Sequence, residues 1–175
     1  MRSLLIGGVR SGKSSLAARW ALQRSADVCV LVTGIAQDAE MTARIEAHRR
    51  ARPPHWTVRE EPIRLGHALR QATLQPQLVL VDCLTLWISN CLWPAATLPE
   101  ADHALWGTER QQFLAALRSS KDVIVVSNEV GAGIVPENAV ARLFRDEQGW
   151  LNQAVAEICD EVFLVTAALP LRLKG

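Results

Sequence analysis

The stretch Gly7-Gly8-Val9-Arg10-Ser11-Gly12-Lys13-Ser14 decides how this chain folds. It follows a short apolar run, Leu4-Leu5-Ile6, and precedes the helical run Ser15-Leu16-Ala17-Ala18-Arg19-Trp20-Ala21. Gly7 and Gly12 enclose four residues and lead into Lys13 and Ser14, so the pattern G-x-x-x-x-G-K-[ST] is met between a strand and a helix. Glycines let the backbone curl until several N–H groups converge on phosphate oxygens, and the N-terminus of the following helix adds positive potential there. Lys13 is placed to reach the β- and γ-phosphates of a nucleotide, and the Ser14 hydroxyl to ligate Mg²⁺.

Working outward, short β-branched runs alternate with longer helical patterns. Strands are expected at Ser3–Ile6, Val28–Val32, Leu78–Val81, Val123–Val126 and Val162–Val165. Helices are expected near Lys13–Arg24, Ala39–Ala51, Ile63–Ala72, Cys83–Trp93, Glu100–Arg118 and Ala139–Ile158. Near-continuous apolar strands separated by helices imply a mostly parallel sheet covered on both faces. With the phosphate loop, this is the α/β architecture of P-loop NTPases, RecA-like in type, and residues 1–175 are expected to form one nucleotide-binding domain. Irregular loops are expected at 52–55, 94–99 and 128–138.

Composition narrows the partners. Hydrophobic residues are 49% and charged residues 21% of the 175, ordinary for a compact protein, and a net charge of +1 gives no global reason to expect nucleic acid or an anionic membrane. Cys29, Cys83, Cys91 and Cys159 lie in or beside apolar runs without C-x-x-C spacing, the pattern of reduced, buried thiols rather than of zinc ligands or disulfides. The phosphate loop begins too early for a signal segment to precede it, and the apolar stretch from Cys83 to Trp93 is too short to span a bilayer. A cytoplasmic protein is expected.

In an open α/β sheet, ligands gather at the carboxyl ends of the strands. Thr33-Gly34, Asp82, Ser127-Asn128-Glu129 and Thr166 fall on that edge. Asp27, Asp122 and Asp160-Glu161 precede their strands and read as solvated caps on the opposite edge. Asp82 closes the apolar run Leu78–Val81 and has two compatible readings, a Mg²⁺ carboxylate beside Ser14 or an N-cap for the helix after it. On the second helix, Met41, Ile45 and His48 share one face, and Arg44, Arg49, Arg50 and Arg52 cluster about its last turns. His48 reads locally as a packed or capping residue, because a helix C-terminus favours imidazolium whereas a nucleophile needs the neutral ring. The arginines suit phosphate oxygens or a solvated basic face equally. Trp87 and Trp93 read first as packing and second as a stacking platform. His55, His67 and His103 have no metal-ligand spacing. In the loop 128–138, Gly131 and Gly133 allow close backbone approach to a ligand, Asn128 and Glu129 lie at its root, and Asn138 suits a helix cap.

Four landmarks in this order resemble one family. They are the loop Gly7–Ser14; the helix Glu40-Met41-Thr42-Ala43-Arg44-Ile45-Glu46-Ala47-His48-Arg49 with Arg52-Pro53-Pro54-His55-Trp56 after it; Asp82-Cys83-Leu84-Thr85; and Ser127-Asn128-Glu129-Val130-Gly131-Ala132-Gly133-Ile134-Val135-Pro136. Along essentially its whole length the chain resembles the bifunctional adenosylcobinamide kinase/adenosylcobinamide-phosphate guanylyltransferases of cobalamin biosynthesis. The phosphate loop is common to many kinases; the arginine–isoleucine–x–x–histidine helix and the N-E-V-G-x-G-I-V-P loop are far more particular.

The resemblance implies two reactions. Adenosylcobinamide takes a phosphoryl group from ATP or GTP at its aminopropanol hydroxyl. GTP then guanylylates a histidine, matched here by His48, and adenosylcobinamide phosphate accepts the GMP to give adenosylcobinamide-GDP. It further implies nucleotide contacts at Gly7–Ser14, at Val32, Thr33 and Gly34, at Arg49, Arg50, Ala51 and Arg52, and at Glu60 and Asp82. Mg²⁺ is the cofactor, and a homo-oligomer, with three subunits the expected number, is the assembly. Where some relatives carry a second, adjacent histidine this chain has Ala47, and where relatives have Glu it has the shorter Asp82. Glu129 and Asp82 are both candidates to deprotonate the substrate hydroxyl. The alternatives are a simple P-loop kinase of a small metabolite, with His48 structural, and a GTP-binding switch. Against the switch, no N-K-x-D-type guanine-reading motif follows a strand.

Overall fold

The computed structural model describes residues 1–35, 39–50, 52–75, 77–94 and 102–175, omitting the side chains of residues 40, 41, 44 and 45. Seven strands form one sheet. They are β1 (Arg2–Gly7), β2 (Val28–Val32), β3 (Thr57–Glu60), β4 (Leu78–Asp82), β5 (Val123–Asn128), β6 (Glu161–Thr166) and β7 (Leu169–Lys174). Their spatial order is β3-β2-β4-β5-β1-β6-β7, parallel throughout except for the antiparallel hairpin β6–β7. The helices are α1 (Lys13–Arg24), α2 (Ala39–Arg50), α3 (Leu65–Ala72), α4 (Leu84–Leu92), α5 (His103–Ser119) and α6 (Ala139–Ile158).

The sheet is packed on both faces, which is why its central strands are apolar without alternation. On one face Leu4, Leu31, Val79, Val81, Val123 and Val125 meet Leu69, Trp87, Phe113, Leu117 and Leu151 of α3 to α6. On the other, Leu5, Val30, Leu80, Ile124 and Val126 meet Leu16, Ala17 and Ala21 of α1 together with Trp56. Leu4 and Leu5 are fully buried on opposite faces, each contributing about 1.5–3 kcal/mol of apolar burial. That anchors β1 in the middle of the sheet and fixes where the glycine loop emerges. Trp87 is fully buried, packs against Trp106 and Phe113, and donates Nε1–H to Ile63 O at 2.7 Å, so its ring has no face left for a ligand.

Two strands differ from the sequence expectation, β3 and β7. Both lie at the sheet margins and are exposed along their whole length, so neither carries the buried apolar run that marks the others. The opposite edge also needs a correction. Asp122 pairs with the N-terminal ammonium at 2.8 Å and Asp160 with Arg2 at 2.8 Å. Glu161 is not a solvated cap. It is buried, accepts the Ser3 hydroxyl at 2.6 Å and pairs with Arg24, because its position at the start of β6 points it under α1 rather than into water. No helix among the described residues is long and apolar enough to cross a membrane. All four cysteines are free; Cys29, Cys91 and Cys159 are buried and Cys83 is half-buried.

Candidate active site

The phosphate loop takes its shape from contacts on three sides. Gly12, which precedes α1, has φ of +90°, a conformation an L side chain rarely adopts. A Cβ on Gly7 would stand 2.4 Å from Val165 O of the neighbouring strand, so only glycine fits there. Within the loop, Ser11 N–H donates to Gly8 O at 3.3 Å and Lys13 Nζ to the same oxygen at 2.9 Å. From outside, Ala168 N–H in the β6–β7 turn donates to Ser11 O at 2.8 Å, and Glu129 N–H donates to Gly7 O at 3.1 Å.

Asp82 ends β4 opposite this loop. One carboxylate oxygen accepts the Ser14 hydroxyl at 3.1 Å, and the other accepts the Arg52 guanidinium at 3.0 Å. The residue preceding α4 is Cys83, without a side-chain cap. Of the two readings of Asp82, the helix cap is therefore not realised, and its carboxylate is directed at Ser14 and Arg52. Adjacent hydroxyl and carboxylate oxygens beside a phosphate loop fit Mg²⁺, a hard cation that commonly takes one or two protein oxygens together with substrate phosphates.

A cleft over this edge is lined by Val9, Lys13, Ser14, Val32, Gly34, His48, Arg52, Glu60, Asp82, Cys83, Leu86 and Asn128. His48, half-buried in the last turn of α2, therefore shares a cavity with the loop lysine and with Asp82. It also borders the outer side of the loop beside Arg10, Ser11 and Gly12. Thr33 is beneath the cleft rather than in it. Fully buried, it donates its hydroxyl to Cys83 O at 2.6 Å and accepts Cys83 N–H at 3.1 Å. It clamps the turn that aims Asp82.

Not every candidate converges. Arg49 and Arg50 are exposed on α2, and Arg50 is paired with Glu46 one turn back at 3.0 Å. Among the described arginines of this cluster, Arg52, just beyond the helix, is the one that turns inward. Ala51 lies outside the described residues, as do the side chains of Met41 and Ile45. Glu129 folds onto its own loop, accepting Gly131 N–H at 2.7 Å and Ala132 N–H at 3.3 Å; Gly131 and Gly133 are exposed. Of the two carboxylates weighed as bases, Asp82 lines the cleft. Asn138 caps α6 through Val140 N–H and Ala141 N–H at 2.7 and 3.2 Å. Cys83 and Leu86 also line the cleft, beyond the site residues expected from the sequence. Cys83 follows Asp82 directly and Leu86 lies in the first turn of α4, so both are close in sequence to the strand end that carries the site.

The family model described as cobinamide kinase / cobinamide phosphate guanyltransferase matches residues 3–173. A Pseudomonas aeruginosa protein, the bifunctional adenosylcobalamin biosynthesis protein CobP, is 44% identical over all of this chain and 98% of its own length. The Escherichia coli bifunctional adenosylcobalamin biosynthesis protein CobU is 36% identical over 99% of this chain and 100% of its own. Among solved structures, the RadB recombinase superposes with a TM-score of 0.53 at 17% identity, covering 93% of this chain and 73% of that one. That last likeness concerns the fold alone.

Proposed function

The chain belongs to the cobinamide kinase / cobinamide phosphate guanyltransferase family, a transferase family of cobalamin biosynthesis, and on that premise we propose that it carries out both reactions through the single cleft beside Gly7–Ser14. In the first, the loop backbone and Lys13 hold the γ-phosphoryl group of ATP or GTP, and the terminal hydroxyl of adenosylcobinamide attacks it. Asp82, hydrogen-bonded to Ser14, is placed to take the hydroxyl proton or to hold Mg²⁺ with that residue. Phosphoryl transfer needs little more than positioning and charge neutralisation, and Mg²⁺, when bound, supplies part of that charge.

In the second reaction, a ring nitrogen of His48 attacks the α-phosphorus of GTP. The bond to the β-phosphate oxygen breaks, pyrophosphate departs, and the ring proton is lost to solvent. A phosphate oxygen of adenosylcobinamide phosphate then attacks that phosphorus, the nitrogen–phosphorus bond breaks and the ring regains a proton from solvent, which gives adenosylcobinamide-GDP and returns the free imidazole. Covalent catalysis splits one hard displacement into two easier ones. The supporting observation is that His48 lines the same cavity as Lys13, Ser14 and Asp82. The reading also carries the nucleotide contacts of Val32, Gly34 and Glu60, and a cytoplasmic homo-oligomer of three subunits.

Incubation with GTP labelled at the α-phosphate should leave acid-labile, alkali-stable label on the denatured protein, and the same GTP labelled at the γ-phosphate should leave none. Equal absence of both labels would reduce the reading to a simple kinase.

A further inference from the structure

The cavity shared by Lys13, His48 and Asp82 encloses about 160 Å³. Pockets that engulf a drug-sized ligand run to roughly 300–1,000 Å³, and a nucleotide must enter here as well. The acceptor proposed above is a corrinoid, a broad flat macrocycle with largely apolar faces and an amide-bearing rim. Its hydroxyl-bearing arm is slender enough to enter beside a nucleotide; the ring system must rest outside, on the rim.

Among the described residues, the two loops that leave this edge beside each other offer a surface with matching chemistry. Strands β1 and β5 run side by side with Gly7 opposite Asn128, and each opens there into a loop. Val9 from the first loop lines the cleft and is 68% exposed. Ile134 and Val135 from the second are 97% and 59% exposed. Between Val130 and Pro136 there is no charged side chain, which suits a neutral, amide-rimmed ring. The second loop is braced at both ends. The Glu129 carboxylate staples its first turn, Arg142 Nη1 donates to Pro136 O at 2.9 Å and Glu137 O at 2.6 Å, and Asn138 caps α6. At the loop's root, Asn128 lines the cleft, with its Oδ1 buried.

We propose that Val9, Ile134 and Val135 form the platform for one face of the corrinoid macrocycle. Glu129 on this account is a positioning residue that braces the platform, and it does not act as a base. The inference rests on adenosylcobinamide being the acceptor. Burial of a macrocycle face against exposed aliphatic side chains is favourable in proportion to the apolar area covered, and a pre-braced loop loses little freedom on binding.

The test compares wild type, the double variant Ile134→Ser/Val135→Ser and the conservative variant Ile134→Leu. KM for adenosylcobinamide in the kinase reaction, KM for the nucleotide and the mass in solution are measured for each. The double variant should raise KM for adenosylcobinamide tenfold or more with the nucleotide KM and the mass unchanged, and Ile134→Leu should stay within twofold of wild type. Equilibrium dialysis, read by the visible absorbance of adenosylcobinamide, should show the same loss without turnover. An unchanged corrinoid KM in the double variant overturns the platform while leaving the function standing. A fall in mass overturns it too, since a second copy of the chain then covers these side chains. Wild type that never phosphorylates adenosylcobinamide removes the proposed function itself.

Discussion

Arg52 and Asp82 form an ion pair at 3.0 Å in the wall of the cleft, with only 9% and 15% of their side chains exposed. The pair explains how an isolated carboxylate is tolerated at the end of an apolar strand, since a buried charge is costly unless it is paired and hydrogen-bonded. Removing one partner of such a pair typically costs about 3–5 kcal/mol. Arg52→Ala should therefore destabilise the nucleotide-free protein on the order of 3 kcal/mol in urea unfolding. Addition of Mg²⁺ and GTP should recover part of the loss, because a cation then takes the guanidinium's place beside Asp82.

The same carboxylate should decide how the metal affects binding. Titration calorimetry of wild type should give tighter GTP binding with Mg²⁺ than without it. Asp82→Asn keeps the size and loses the charge, and should abolish that difference while still binding metal-free GTP through the loop. An undiminished Mg²⁺ effect in this variant would take Asp82 out of the metal's coordination.

At the opposite edge, the pH response follows from Asp160. The Arg2 side chain and backbone N–H bond to its carboxylate and hold it down at about 2, from an ordinary 3.8. A folded-state value below the unfolded one means the carboxylate stabilises the fold above about pH 4 and loses that effect as pH falls towards 2. Burial pushes Glu161 upward, yet hydrogen bonds from Ser3 and Arg24 outweigh it and leave the net shift downward, so it acts in the same direction. The melting temperature should fall between pH 4 and 2, and Asp160→Asn should make that slope shallower.

The hairpin that supports the phosphate loop stores strain in two alanines. Ala167 and Ala168 have φ of 51° and 63°, a left-handed geometry that costs an L residue roughly 1–2 kcal/mol. Ala167→Gly relieves this against a loss of about 0.5–1 kcal/mol in chain entropy, so a small rise in melting temperature is expected. Gly12→Ala should do the reverse. It places a methyl at φ +90° and 2.9 Å from Ala168 Cβ, and should lower both stability and nucleotide affinity.

These strands and turns also show what was legible in the sequence. The bounds of β2, α1 and α6 match their expected ranges at both ends, because apolar runs and caps there have no competing reading. β7 was readable in principle. Leu169, Leu171 and Leu173 alternate with Pro170, Arg172 and Lys174, but the turn before it uses two alanines where glycine or asparagine usually marks a tight hairpin. β3 gave no signal, since Thr57-Val58-Arg59-Glu60 forms an exposed margin. At the site, the glycine loop and the strand-end rule brought Lys13, Ser14 and Asp82 together in advance. Local pattern could not separate Arg52 from Arg49 and Arg50. Only the turn after α2 decides which guanidinium faces Asp82, and that turn is set by tertiary packing.

The central claim is that His48 carries GMP between the two substrates. Protein incubated with α-phosphate-labelled GTP, freed of nucleotide by desalting and then given adenosylcobinamide phosphate, tests it most directly. The account expects label on the wild-type chain, none on His48→Ala, and its quantitative release as adenosylcobinamide-GDP on addition of the acceptor. Label that persists on His48→Ala, or that stays on wild type while product forms from fresh GTP, would contradict it.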